Sequence, residues 1–293
     1  MDLRAYQQQA IASDRIPTDP DVSAIAPLLG LAGETGELLS EYKKHLRDRD
    51  VHPLPKERIA EELGDLLWYI ANVASKSGLD LNDIAEKNLA KARDRWTERH
   101  RLVREPFDRF AEPDERLPRQ FDVQLTQAIE DADVKSRAFL NGKQIGNDLT
   151  DNSYSNDGYR FHDVFHLSYA AVLGWSPVTR KLVNVKRKTN KKIDEVQDGG
   201  RATAIEEGIS AFVFEYALEH NRLEGATRVD GDILKLIKNA TRKLEVNECT
   251  AAEWEHAILT GYAAWRIIEN NGGGWVRLDL DARTITASVS APS

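Results

Sequence analysis

Four carboxylates in the first quarter of the chain have the types and spacing of a metal-binding site. Glu34 and Glu37 stand three apart in GETGELLSEYKK, and Glu62 and Asp65 repeat that spacing in EELGDLLWYIANVA. Residues three apart share one face of a helix, so two antiparallel helices would bring all four acids together. Both pairs lie among Leu31, Leu38, Leu63, Leu66 and Leu67. Four acids gathered in apolar surroundings are unfavourable unless cations neutralise them. Oxygen-only donors on rigid helices suit hard divalent ions, chiefly magnesium, with manganese as the other choice. Such ions can neutralise a polyphosphate and activate a water for attack on it. The bland alternative is a solvated helix face with incidental pairing to Lys43, Lys44 and Arg58.

Other side chains are candidates to hold a substrate there. Lys44, Lys87, Lys91 and Arg95 can grip phosphate oxygens. Trp68 and Tyr69 follow Asp65 by three and four positions, so either can turn toward the same place and stack on a planar ring. Asn88 can hydrogen-bond a substrate's polar edge. The basic residues would equally serve as a solvated face, and Trp68 and Tyr69 as core.

A second constellation lies in YRFHDVFHLSYAAVLGW. His162 and His166 are one helical turn apart, as in the zinc motif HExxH, with Asp163 where that motif has glutamate. Glu206 or Glu207, from another helix, can supply a third ligand. This alternative is a zinc or iron hydrolase with a regulatory first half. A third alternative is an inactive nucleotide-sensing protein, against which four costly carboxylates argue. The basic run VKRKTNKK, 185–192, reads as a solvated loop or as one that closes over a polyphosphate.

The elements that must position these groups are mainly helical. Residues 2–104 read as helices over Ala5–Ser13, Ile25–Arg47, Lys56–Ser77 and Leu81–Val103, by apolar periodicity and flanking Pro, Asp and Gly. Pro106, Pro113 and Pro118 among charged residues mark 105–119 as a linker. After it, Phe121–Gln127 alternates as a strand, and Asn141-Gly142 predicts a type I′ hairpin. Helices follow at Tyr159–Leu173, Thr203–His220, Asp230–Asn239 and Ala251–Asn270, then a closing hairpin turns near Asp281-Ala282. Trp175, Trp254 and Trp265 are read as core. The expected fold is mainly α: an all-α bundle over 1–104, and over 120–293 a second helical unit carrying a small antiparallel sheet.

The motif pair, ExxE and ExxD with 24 residues between, resembles the MazG-like and dCTPase-like all-α nucleotide pyrophosphohydrolases over residues 1–100. The words GETGEL and EELGDLLWYI, Tyr6-Gln7 and KNLAKARDRW belong to the likeness. It implies hydrolysis of a nucleoside triphosphate between its α and β phosphates, giving the monophosphate and pyrophosphate. It also implies that Glu34, Glu37, Glu62 and Asp65 hold two or more metal ions, with Glu37, or else Glu34, as general base. Proteins of this kind pair their helical units. AIEEGISAFVFEYAL can be laid beside IAEELGDLLWYIANV, matching Glu207 to Glu62 and Ser210 to Asp65, with Asp163 and His166 in the places of Glu34 and Glu37. The second half would then be a diverged copy, so a homo-oligomer and an intrachain pseudo-dimer are both open.

The whole composition bounds the setting. A net charge of −8 over 293 residues argues against a general nucleic-acid binder. The one cysteine, Cys249, allows neither an intramolecular disulfide nor a cysteine zinc cluster. The start lacks the pattern of a signal peptide, and no stretch reads as a transmembrane helix. A cytoplasmic chain acting on a nucleoside triphosphate, without nucleic-acid or membrane partners, is expected.

Overall fold

The computed structural model describes residues 1–17, 19–51, 56–96, 105–130 and 133–291. They fall into two compact units, Met1–Arg93 and Asp94–Ser293.

The first unit is helical. Its elements are α1 (Leu3–Ser13), α2 (Pro20–Asp48), α3 (Lys56–Lys76) and α4, which begins at Leu81 and runs to Trp96 across the boundary between the units. The starts of α1, α2 and α4 each have a carboxylate to satisfy the unpaired backbone N–H groups of the first turn. Asp2 accepts from Ala5 N, and Asp19 from the N–H groups of Asp21 and Val22. Asp80 accepts from those of Asn82 and Asp83 and caps α4. Residues 97–104, where the fourth helix is expected to continue, lie outside the described residues.

Gln7 ties α1 to the turn after α3. Its amide donates to Ser75 Oγ and the Leu79 carbonyl, and its carbonyl accepts from Leu81 N. Beneath it a small cluster of Ala10, Ala71 and Leu81 is joined by Leu3, Tyr6, Leu67 and Trp68. α2 packs on α3, and Gly30 makes the approach possible, because a Cβ there would run into the Tyr69 ring.

Much of α2 nevertheless remains uncovered, with Ile25, Leu28, Leu29, Leu39 and Leu46 all exposed. Contrary to the sequence reading, α2 is long and apolar enough to cross a membrane by length and composition. Glu34 and Glu37 lie within it, and charges at mid-membrane are costly.

The second unit has a five-stranded antiparallel sheet of order β3-β2-β1-β4-β5. The strands are β1 (Gln120–Glu130), β2 (Asp133–Leu140), β3 (Lys143–Leu149), β4 (Gly273–Asp279) and β5 (Thr284–Ser288). Asn141 and Gly142 both have positive φ between the paired Leu140 and Lys143, as a type I′ turn requires. Val123 pairs with Val276, and with Leu125 and Leu278 they form the buried face.

That face packs on α5 (Asp163–Leu173) and α10 (Ala251–Asn270). Short α6 (Pro177–Leu182) and α7 (Lys191–Val196) lead into α8 (Gly200–Glu219), and α9 (Gly231–Thr241) precedes α10. α5 is buried along its whole length, which suits its all-round apolar sequence. Trp175, Trp254 and Trp265 are fully buried, as expected of core residues.

The proline-marked segment 105–119 is anchored in this second unit. Asp108, 2% exposed, accepts from Leu117 N, from Arg180 Nη2 at 2.9 Å and from Arg119 Nη2 at 2.6 Å. Burial pushes its carboxyl up, but Arg180, the Leu117 N–H and Arg119 outweigh this and hold it below the usual carboxylate range. Arg187, from the basic run, is likewise buried and paired with Asp198 and Glu245. It is a structural arginine rather than part of a loop free to close on a polyphosphate.

Because Asp108 titrates lower in the folded chain than unfolded, its contribution is complete above the unfolded value of about 3.9. It is lost as pH falls through the folded value. Asp108→Asn should cost the second unit about 3–5 kcal/mol, as for one partner removed from a buried pair. Urea denaturation at neutral pH measures the loss, and the difference between variant and wild type should shrink on acidification below pH about 4.

Candidate active site

On α2 and α3 the first acidic set converges. One oxygen each from Glu34, Glu62 and Asp65 lies within 4.8 Å of the others. Glu62 is buried, Glu34 half-buried, and Asp65 and Glu37 exposed. Glu37 is outside that tightest group, yet its charge is felt there. Burial first, then the neighbouring Glu37, pushes the Glu62 carboxyl up, with Glu34 and Glu61 adding to it and Arg58 partly offsetting it. The crowding of like charges anticipated from the spacing is therefore present, and an all-oxygen set at these distances fits a hard divalent ion.

Two neighbours of the four acids take a larger part than their sequence positions suggest. Glu41, one turn beyond Glu37, is buried and pairs with Lys44 at 2.7 Å. Arg58 bridges Glu41 and Glu62 at 4.0 and 3.7 Å. The signal for Glu41 was its spacing, since it continues the stripe of Glu34 and Glu37 by a further turn. Tyr6 belongs here too: burial, then the charge of Asp65, pushes its hydroxyl up.

The residues expected to hold substrate are dispersed. Lys44 is engaged by Glu41. Trp68 donates its indole N–H to Ser13 Oγ at 2.9 Å and joins the small apolar cluster. Tyr69 packs edge-on to Trp68 with its ring against Gly30. Lys87, Asn88 and Lys91 are exposed along α4. Arg95 belongs to the second unit, where it pairs with Glu255 at 3.1 Å and donates to the Val229 carbonyl.

In the second unit His162, His166 and Glu207 converge from α8 and the start of α5, again with one ligand atom each within 4.8 Å of the others. Glu206 lies on the other side of His166, bonded to its Nδ1. Burial lowers His166, but Glu206 and Glu207 outweigh it and raise the group to about 10. Burial and His166 push His162 down, and burial pushes Asp163 up. Ser210, matched to Asp65 in the repeat alignment, is buried on α8. α5 differs from its proposed counterpart α2, being 11 residues long and wholly buried where α2 is 29 long and largely uncovered.

Two family models match successive parts of the chain. Residues 23–100 match the MazG nucleotide pyrophosphohydrolase domain, and residues 103–291 match the MazG C-terminal domain. The chain is 33% identical over 101 residues to the Gene 37 protein of Mycobacterium phage L5, covering 32% of this chain and 89% of that one. No solved structure matches. The acids on α2 and α3 fall inside the first match, whose enzymes act on nucleotide phosphoanhydrides and use divalent metals. The chain belongs to the MazG family, as a nucleotide pyrophosphohydrolase domain joined to a MazG C-terminal domain.

Proposed function

We propose that this hydrolase cleaves nucleoside triphosphates between the α and β phosphates, releasing the monophosphate and pyrophosphate, with magnesium as its metal. The convergence of Glu34, Glu62 and Asp65 within the matched domain carries this reading. These residues would hold magnesium, or manganese, which shares its preference for oxygen. When bound, the ion neutralises the polyphosphate and polarises its oxygens.

Glu37, exposed on the solvent side of the same pair of helices, is the general base and takes the proton of the attacking water. Glu34 is the alternative base. Arg58 balances part of the acidic charge from the α3 side. Lys87 and Lys91 serve the phosphates and Asn88 the base edge. Trp68 and Tyr69 pack within the bundle rather than stack on a base. The substrate and the single buried cysteine, Cys249, suit a cytoplasmic enzyme. We also assign a homo-oligomer, in which a second copy of this chain covers the apolar surface of α2.

Three experiments test this reading. With magnesium and each common ribo- and deoxynucleoside triphosphate, monophosphate and pyrophosphate should be resolved as products. Glu37→Gln should lower kcat by about 10²–10⁴-fold, the range of general-base catalysis; release of orthophosphate, or an unimpaired variant, would count against the mechanism. Glu62→Gln should raise the metal-free Tm by relieving repulsion, while losing the upward shift that magnesium gives the wild type. Sedimentation equilibrium should find an oligomer that Leu29→Glu with Leu39→Glu dissociates; an unchanged mass would show that α2 is not the interface.

A further inference from the structure

The reaction proposed above leaves the buried histidine cluster of the second unit unused. His162 precedes α5, His166 lies one turn on, and Glu207 projects from α8. His162 Nδ1 lies 2.9 Å from the Tyr159 carbonyl, which can only accept, so this nitrogen carries the proton. The Tyr159 ring stacks on the imidazole at 4.4 Å, with 12° between planes.

His166 Nδ1 lies 2.9 Å from Glu206 Oε1 and donates to it. Glu206 also accepts from Ser176 Oγ at 2.6 Å and from Val178 N at 2.9 Å, so it is fully engaged in holding this imidazole. Carboxylate and carbonyl partners of this kind fix which ring nitrogen is left for a metal.

Both Nε2 atoms then face Glu207. Its Oε2 lies 3.3 Å from His166 Nε2 and 3.8 Å from His162 Nε2. His166 is fully buried, and its Nε2 makes no hydrogen bond of acceptable geometry among the described residues. Buried polar atoms left in this way are rare and call for a missing partner. Tetrahedral ligands at zinc distances of about 2.0–2.2 Å are separated by roughly 3.4 Å, close to both measured separations.

We infer that His162, His166 and Glu207 form a second metal site, which takes one zinc or iron(II) ion. Two imidazole nitrogens with one carboxylate favour these ions over magnesium. Three protein ligands leave a position open for water or a substrate oxygen, the pattern of reactive rather than purely structural sites. The side chain of Glu207 is 43% exposed, so an ion can enter from its side. The sequence alone could not choose between Glu206 and Glu207; in the structure Glu206 orients His166 and Glu207 completes the ligand set. This assignment does not depend on the activity of the first unit.

The test is titration of the full-length chain, stripped of metal, with cobalt(II) alone. One equivalent should give visible d–d absorption, and zinc should abolish it by displacement. Glu207→Ala, at a partly exposed position, should lower cobalt affinity by about 100-fold with an unchanged circular dichroism spectrum. Glu206→Gln should lower it by about 10–100-fold, the usual effect of losing a group that orients a ligand. Glu34→Gln with Asp65→Asn should leave the band unchanged. No band at one equivalent, or a band lost with the N-terminal acids but kept in Glu207→Ala, would overturn the assignment and leave the cluster as a buried histidine–carboxylate network.

Discussion

Mutual repulsion among carboxylates is the constraint that organises the first unit. Glu34 and Glu62 face each other across α2 and α3 with Asp65 beside them, an arrangement that a folding chain would avoid without a cation to accept it. The rest of the bundle works against this repulsion. Gly30 lets α2 approach the Tyr69 ring, Arg58 and Lys44 offset charge at Glu62 and Glu41, and Gln7 fastens α1 to the turn before α4. Helices carry the acids because a helix fixes the three-residue spacing rigidly, while a loop would let them drift apart.

The second unit solves the opposite problem. Its charged groups are buried in pairs: Asp108 with Arg180 and Arg119, and Asp198 with Arg187. Trp175, Trp254 and Trp265 fill a continuous core between helices and sheet. Histidines can sit in that core because each has one nitrogen bonded to a fixed acceptor. The acids of the first cluster are crowded by like charge, whereas the imidazoles of the second are oriented by fixed acceptors.

Local pattern made much of this legible. The leucine stripe of α3, the Asn141-Gly142 turn and the span of α10 follow from periodicity and turn chemistry, and three of the four spaced acids, Glu34, Glu62 and Asp65, come within 4.8 Å of one another. What local pattern could not supply was the partner of a long side chain. Arg95 looks like a phosphate ligand by its place in a basic helix, but Glu255, far along the chain, claims it. Arg187 sits in an apparently solvated run until Asp198 and Glu245 close on it. Asp108 lies among prolines that read as a linker, and its partner Arg180 is equally remote. Glu206 and Glu207 are neighbours in sequence but point about 100° apart on a helix, so their roles depend on which way α8 faces. The repeat alignment paired residues by spacing and could not register that α5 is enclosed on all sides.

The small apolar cluster under Gln7 has a dynamic consequence. Three small or medium side chains at its centre offer little resistance to local opening, whereas α5 can open only if the surrounding core opens with it. Amide hydrogens of α1 should therefore exchange with solvent well before those of α5. The smaller unit, which carries the phosphoanhydride chemistry, should then be the softer one, and any cation gathered by its acids would also be a clamp that slows its breathing.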